Sequence, residues 1–87
     1  MLTITEIASA YLAAMLAQAG APEEVAVRFV PGENGVTMVS DEPQPDDTTF
    51  DHDGRTVLVL DEQISQLLAD KTLDIQNADG EMKMVLF

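Results

Sequence analysis

Asp51-His52-Asp53 places an imidazole between two carboxylates, donor types that bind zinc or iron. Successive residues of a strand point to opposite faces, so the three cannot all reach one ion there. Asp53-Gly54 also reads as a turn pair selected for its dihedral angles. An EF-hand reading fails: two acids precede Gly54 where three are expected, and Leu60 stands where the closing glutamate is needed. A second candidate is Glu33, with Asn34, in Pro31-Gly32-Glu33-Asn34-Gly35. Glycines on both sides would let a ligand or partner approach the backbone, but the same composition makes an ordinary hairpin turn. A third is Asp46 with Asp47, in the proline-interrupted stretch Asp41–Asp47. Asp47 is expected to be an exposed loop residue that ionises as an ordinary carboxylate.

No catalytic set emerges. His52 is the single histidine, so any histidine-based acid–base or triad chemistry would have to include it. Ser9, Ser40 and Ser65 have no nucleophile signature nearby, and no glycine precedes the Gly-Lys-Ser/Thr of a phosphate loop. The expectation is a protein that is not an enzyme.

The 87 residues hold no cysteine, which excludes disulfides, thiolate nucleophiles and thiolate metal sites together. Sixteen acids against four bases give a net charge of −12. That field repels phosphate backbones and anionic membrane surfaces, so neither nucleic acid nor membrane is the expected partner. It favours basic proteins, or serves only to keep a small protein dissolved. The length suits one domain over residues 1–87. No apolar run approaches the ~20 residues of a membrane helix. Met1-Leu2-Thr3-Ile4-Thr5-Glu6 has no basic region before an apolar core, so a cytoplasmic location is the expectation.

Several elements must position these candidates. Thr3 and Glu6 have capping-box spacing ahead of an alanine-rich helix that ends at Gly20, with Ala8, Tyr11, Leu12, Met15 and Leu16 on its apolar face. Residues 25–30 and 36–40 read as a hairpin around the Pro31–Gly35 turn. Thr48–Phe50 reads as a short strand that turns at Asp53-Gly54 into Arg55–Leu60, a β-branched central strand. Asp61 caps a short second helix with Ile64, Leu67 and Leu68 inward. Thr72–Gln76 and Glu81–Phe87 read as a second hairpin around residues 77–80. The last strand, apolar on both faces, fits either an internal position or an exposed edge for self-association. The fold class is α+β and β-rich: about six to seven mixed, mostly antiparallel strands with two flanking helices.

This order resembles the HesB/IscA-like family, the A-type carriers of iron–sulfur cluster assembly. The resemblance rests on Thr3-Ile4-Thr5 before an alanine-rich helix, and on Asp41-Glu42-Pro43, Asp46-Asp47, Phe50, Gly54 and the apolar strand ending at Asp61. Thr72-Leu73-Asp74-Ile75 and the strand from Gly80 through Met84 continue it. It implies a pseudobarrel or β-sandwich of mixed strands with two helices packed against it. Family carriers hold clusters with one cysteine in a glycine-flanked loop and a Cys-Gly-Cys pair in a C-terminal tail. Here both loop glycines match, Glu33 falls at the cysteine position, and the sequence reaches Phe87 without the tail.

Clusters are held by soft thiolates, and a carboxylate is a hard oxygen donor. The expectation is therefore a cysteine-less, degenerate family member without a cluster or other cofactor. It would be a non-catalytic binding or regulatory protein, a monomer or weak homodimer, whose partner belongs to iron–sulfur or sulfur metabolism. Glu33, Asn34, Asp46 and Asp47 would contribute the partner surface. One alternative is iron or another metal held by carboxylates around Glu33 and the acidic loop, with Asp51, His52 and Asp53 as a further metal candidate. A second is an acidic mimic that blocks a basic nucleic-acid-binding protein.

Overall fold

The computed structural model describes residues 1–33 and 35–87. Its elements follow in the order β1 (Thr3–Ile4), α1 (Glu6–Gln18), β2 (Ala26–Gly32), β3 (Gly35–Asp41), β4 (Thr48–His52), β5 (Arg55–Leu60), α2 (Glu62–Leu67), β6 (Thr72–Ala78) and β7 (Glu81–Leu86). They form two mixed sheets, one ordered β3-β2-β5-β4 and the other β1-β6-β7. The parallel pairs are β2 with β5 and β1 with β6; the hairpin pairs are antiparallel. The α+β, β-rich expectation holds, with seven strands and two helices among the described residues.

Local chemistry explains most of the chain reversals. Asp53 and Gly54 both have positive φ, 52° and 80°, and so do Asp79 and Gly80, at 53° and 81°. Each Asp-Gly pair makes the primed turn whose twist suits a two-residue hairpin. The second turn is tighter than residues 77–80 suggested, because Asn77 and Ala78 still pair with Met82 and Glu81. At the end of α1, the Gly20 N–H donates to Ala17 O and the Ala21 N–H to Leu16 O, with Gly20 at φ 69°. That is a Schellman closure, and it satisfies carbonyls the helix would otherwise leave open.

The start of α1 departs from the sequence reading. Thr3 is not the cap; it lies in β1, in parallel register with Thr72. Thr5 is the cap, with Oγ1 accepting from the Ala8 N–H at 3.2 Å. The same hydroxyl donates to Asp74 Oδ1 at 2.8 Å, tying α1 to β6. A two-residue strand carries too little periodicity to be read from sequence, so the threonine with the better capping-box spacing looked like the cap. Asp61 does cap α2, accepting from the Ile64 N–H at 2.8 Å.

The core lies where α1 meets the sheets. Leu12 and Leu16 of α1 join Phe29 of β2, Leu58 and Leu60 of β5, Ile64 of α2 and Leu73 of β6 in one buried cluster. Each such side chain contributes about 1.5–3 kcal/mol on burial. Val57 through Leu60 are all buried, as expected for a strand covered on both faces. The last strand is an edge: β7 pairs only with β6, and Met82 and Phe87 are exposed. The internal placement is thereby excluded.

Candidate functional site

The hairpin carrying Glu33 is closed by Gly32 opposite Gly35. Gly35 has φ 118° and open space where a Cβ would stand, so glycine is required there by backbone conformation and not by a close neighbour. Glu33 is exposed in the turn. Asn34 lies outside the described residues.

The acidic stretch after β3 is less free than its composition implies. Arg28, in the interior of β2, is buried and reaches under it. Its Nε donates to Asp41 Oδ2 at 2.9 Å, Nη1 to Asp47 Oδ1 at 3.1 Å, and Nη2 to Asp47 Oδ2 at 2.5 Å and to the Glu42 carbonyl at 3.3 Å. The Gln44 N–H donates to Asp47 as well, at 2.7 Å. The planar guanidinium thus meets a carboxylate in the two-pronged geometry that suits it.

These contacts hold the Asp47 carboxyl below the usual carboxylate range: the hydrogen bonds from Arg28 outweigh the opposing effect of burial, and the Gln44 N–H adds to them. Arg28 is raised in turn, chiefly by its hydrogen bond to Asp47 against the cost of burial. Asp47 is therefore corrected on two counts. It is not an ordinary loop carboxylate, and with a side chain 4% exposed it cannot serve as partner surface. Asp46 beside it is exposed. The missed signal was Arg28 itself, the single charge in an apolar strand with an acid-rich loop downstream.

Asp51, His52 and Asp53 do not converge. Asp51 accepts from the Thr56 hydroxyl at 2.8 Å, beside a bulge between Phe50 and Asp51. His52 Nε2 lies 3.4 Å from Asp53 Oδ2, on a residue whose side chain is 91% exposed. Among the described residues no three His, Asp or Glu side chains are grouped as metal ligands. Glu33 belongs to no such group among the described residues.

An apolar cleft of about 240 Å³ lies between the two sheets. Phe29 and Leu73 contribute to its lining, with Val36 and Met38 from β3 and Met84 and Leu86 from β7. Sequence reading pointed to β7 as an apolar edge but not to β3 as its neighbour across a cleft.

No protein-family model matches the sequence, and no curated protein matches it. Solved structures do. The crystal structure of Escherichia coli SufA, involved in biosynthesis of iron–sulfur clusters, superposes with a TM-score of 0.77 at 25% identity, covering 99% of this chain and 83% of that one. The chain has the HesB/IscA-like fold. A crystal structure of IscA with the [2Fe-2S] cluster has the same fold, with a TM-score of 0.66 at 17% identity over 100% of this chain and 84% of that one. The A-type carrier fold is thus present in a sequence without cysteine. Its donors do not fit an iron–sulfur cluster: the Pro31–Gly35 loop offers one hard carboxylate, and no thiolate exists elsewhere in the 87 residues. Among the described residues, no helix is long and apolar enough to cross a membrane.

Proposed function

We propose that this chain is a non-catalytic, protein-binding component of iron–sulfur cluster metabolism, one domain over residues 1–87, acting through its folded surface instead of carrying a cluster. One observation carries the reading: a HesB/IscA-like fold is built from a sequence with no cysteine, with a solvent-exposed glutamate in the loop where the family resemblance places a ligand. The likeness to SufA, itself involved in biosynthesis of iron–sulfur clusters, supports the setting.

Charge supports the kind of partner. Two of the four cations are engaged internally: Arg28 by Asp41 and Asp47, and Arg55 by the carbonyls of Ala21, Pro22 and Val25. Lys71 and Lys83 remain against an excess of carboxylates that includes exposed Glu33 and Asp46. Basic patches on a cysteine desulfurase, a sulfur-trafficking protein or a cluster-receiving client are the complementary surfaces, and their attraction weakens as salt rises.

Affinity capture from the source cell at low and high salt tests the partner half of the proposal. Anaerobic incubation with ferrous iron and sulfide, then desalting, tests the other half. The expected product holds neither iron nor labile sulfide; a bound cluster would overturn it.

A further inference from the structure

The two sheets have four edge strands, and three of them are guarded against pairing with another chain. β1 is two residues long. β4 bears the Phe50/Asp51 bulge and ends in Asp51 and His52. β7 carries Glu81 and Lys83. Short length, bulges and charges are the devices by which natural sheets blunt their edges. β3 has none of them from Gly35 through Ser40: the run Gly-Val-Thr-Met-Val-Ser contains no charge, proline or bulge. All seven β3 residues pair with β2 on one side. Its other side has no partner strand among the described residues; Val36 and Met38 line the apolar cleft, and β3 and β7 are not hydrogen-bonded to each other.

Side chains across an antiparallel pair share a face, so Met38, opposite buried Phe29, points to the cleft side, and Val36 follows it at the strand period. Met38 and Val39 are each 43% exposed, apolar surface that the fold leaves uncovered. Exposed acids stand near the edge: Glu33 precedes β3 and Glu81 opens β7 ahead of the single cation Lys83, while Asp41, which closes β3, is already paired with Arg28. An incoming strand therefore meets an apolar floor and a negative rim. A second copy of this chain would bring another net charge of −12 to the same rim.

We propose that an extended segment of a partner protein, with apolar residues alternating with basic ones, adds to the free edge of β3 and places its apolar side chains in the cleft. Backbone hydrogen bonds give such an added strand its affinity, and the alternate side-chain pockets give it selectivity. The proposal deepens the protein-binding reading above by naming the surface and the form of the segment.

The test uses the whole chain and a defined probe, an acetylated peptide of alternating valine and lysine about eight residues long, within normal strand length. Amide NMR shifts should move along residues 36–40, and affinity should fall with added salt. Met38→Lys and, separately, the exposed Thr37→Lys should each weaken binding about tenfold, the loss of one well-placed anchor or the gain of one repulsive charge. A dispersed amide spectrum shows that each variant still folds. The proposal is overturned if the shifts fall on β4 or β7 alone. It is also overturned if a valine–glutamate peptide, or one N-methylated along its pairing edge, binds equally well, or if the chain sediments as a dimer that Met38→Lys dissolves. Capture of cluster-assembly proteins that survives both variants removes this strand and leaves the protein-binding reading. Peptide binding at β3 without such capture supports the strand and removes the metabolic setting.

Discussion

Arg28 holds Asp47 with both terminal guanidinium nitrogens, Nη1 at 3.1 Å and Nη2 at 2.5 Å, and the two side chains are 10% and 4% exposed. This pair fixes the acidic stretch to the sheet that carries the Glu33 hairpin. Removing Asp47 leaves the buried Arg28 guanidinium held by Asp41 and the Glu42 carbonyl alone, with its two-pronged partner gone. Because Asp41 still compensates the charge, Asp47→Ala should cost about 2–3 kcal/mol, a large share of the stability of a small domain. Replacing both with apolar residues, Arg28→Leu with Asp47→Leu, should recover much of that loss. Urea unfolding of the parent, the single variant and the double variant measures both effects.

The same pair predicts a pH dependence. Asp47 is depressed in the folded state, so its contribution is fully present above the unfolded carboxylate pKa of about 3.9 and is lost as pH falls through the lower folded value. Arg28 is raised, so its contribution is present throughout the neutral range and is lost only in strong base. The stability difference between the parent and Asp47→Asn should stay constant from neutral pH down to about pH 5 and shrink in stronger acid. Chemical denaturation of both proteins across that range checks it, and a difference that persists undiminished in strong acid would refute the assignment.

Thr5, and not Thr3, should control the start of α1. Thr5→Ala removes the bond accepted from the Ala8 N–H and the one donated to Asp74, at a cost of about 1–2 kcal/mol. Thr3 is exposed, so Thr3→Ala should change stability by less than about 0.5 kcal/mol. Thermal melts of the two variants separate the alternatives.

Glu33 should not govern metal affinity. Calorimetric titration with ferrous iron should give only weak binding, about millimolar, of the kind scattered carboxylates provide, and Glu33→Ala should leave it unchanged. Tight binding that Glu33→Ala abolishes would restore the carboxylate-site reading.

The parts of the fold legible in the sequence are those set by local chemistry. Asp53-Gly54 and Asp79-Gly80 announce their turns through residues that accept positive φ. Asp61 announces α2, and the β-branched run Arg55–Leu60 announces the strand at the centre of the core. What stayed hidden depends on residues far apart in the chain. Thr3 pairs with Thr72, and Thr5 bonds Asp74, across separations that no local pattern encodes. Arg28 reaches Asp47 by the loop folding back beneath itself, which turned a supposed surface carboxylate into an internal one. The β3 edge was hidden for a related reason: whether a strand lies at a border depends on sheet order, not on its own residues.

In the proposed function, a HesB/IscA-like body without cysteine works by binding proteins. Quantitative affinity capture from the source cell at low and high salt tests it most directly. A cysteine desulfurase, a sulfur-trafficking protein or an iron–sulfur client should be enriched at low salt and released at high salt. Recovery of no such protein at low salt would contradict it.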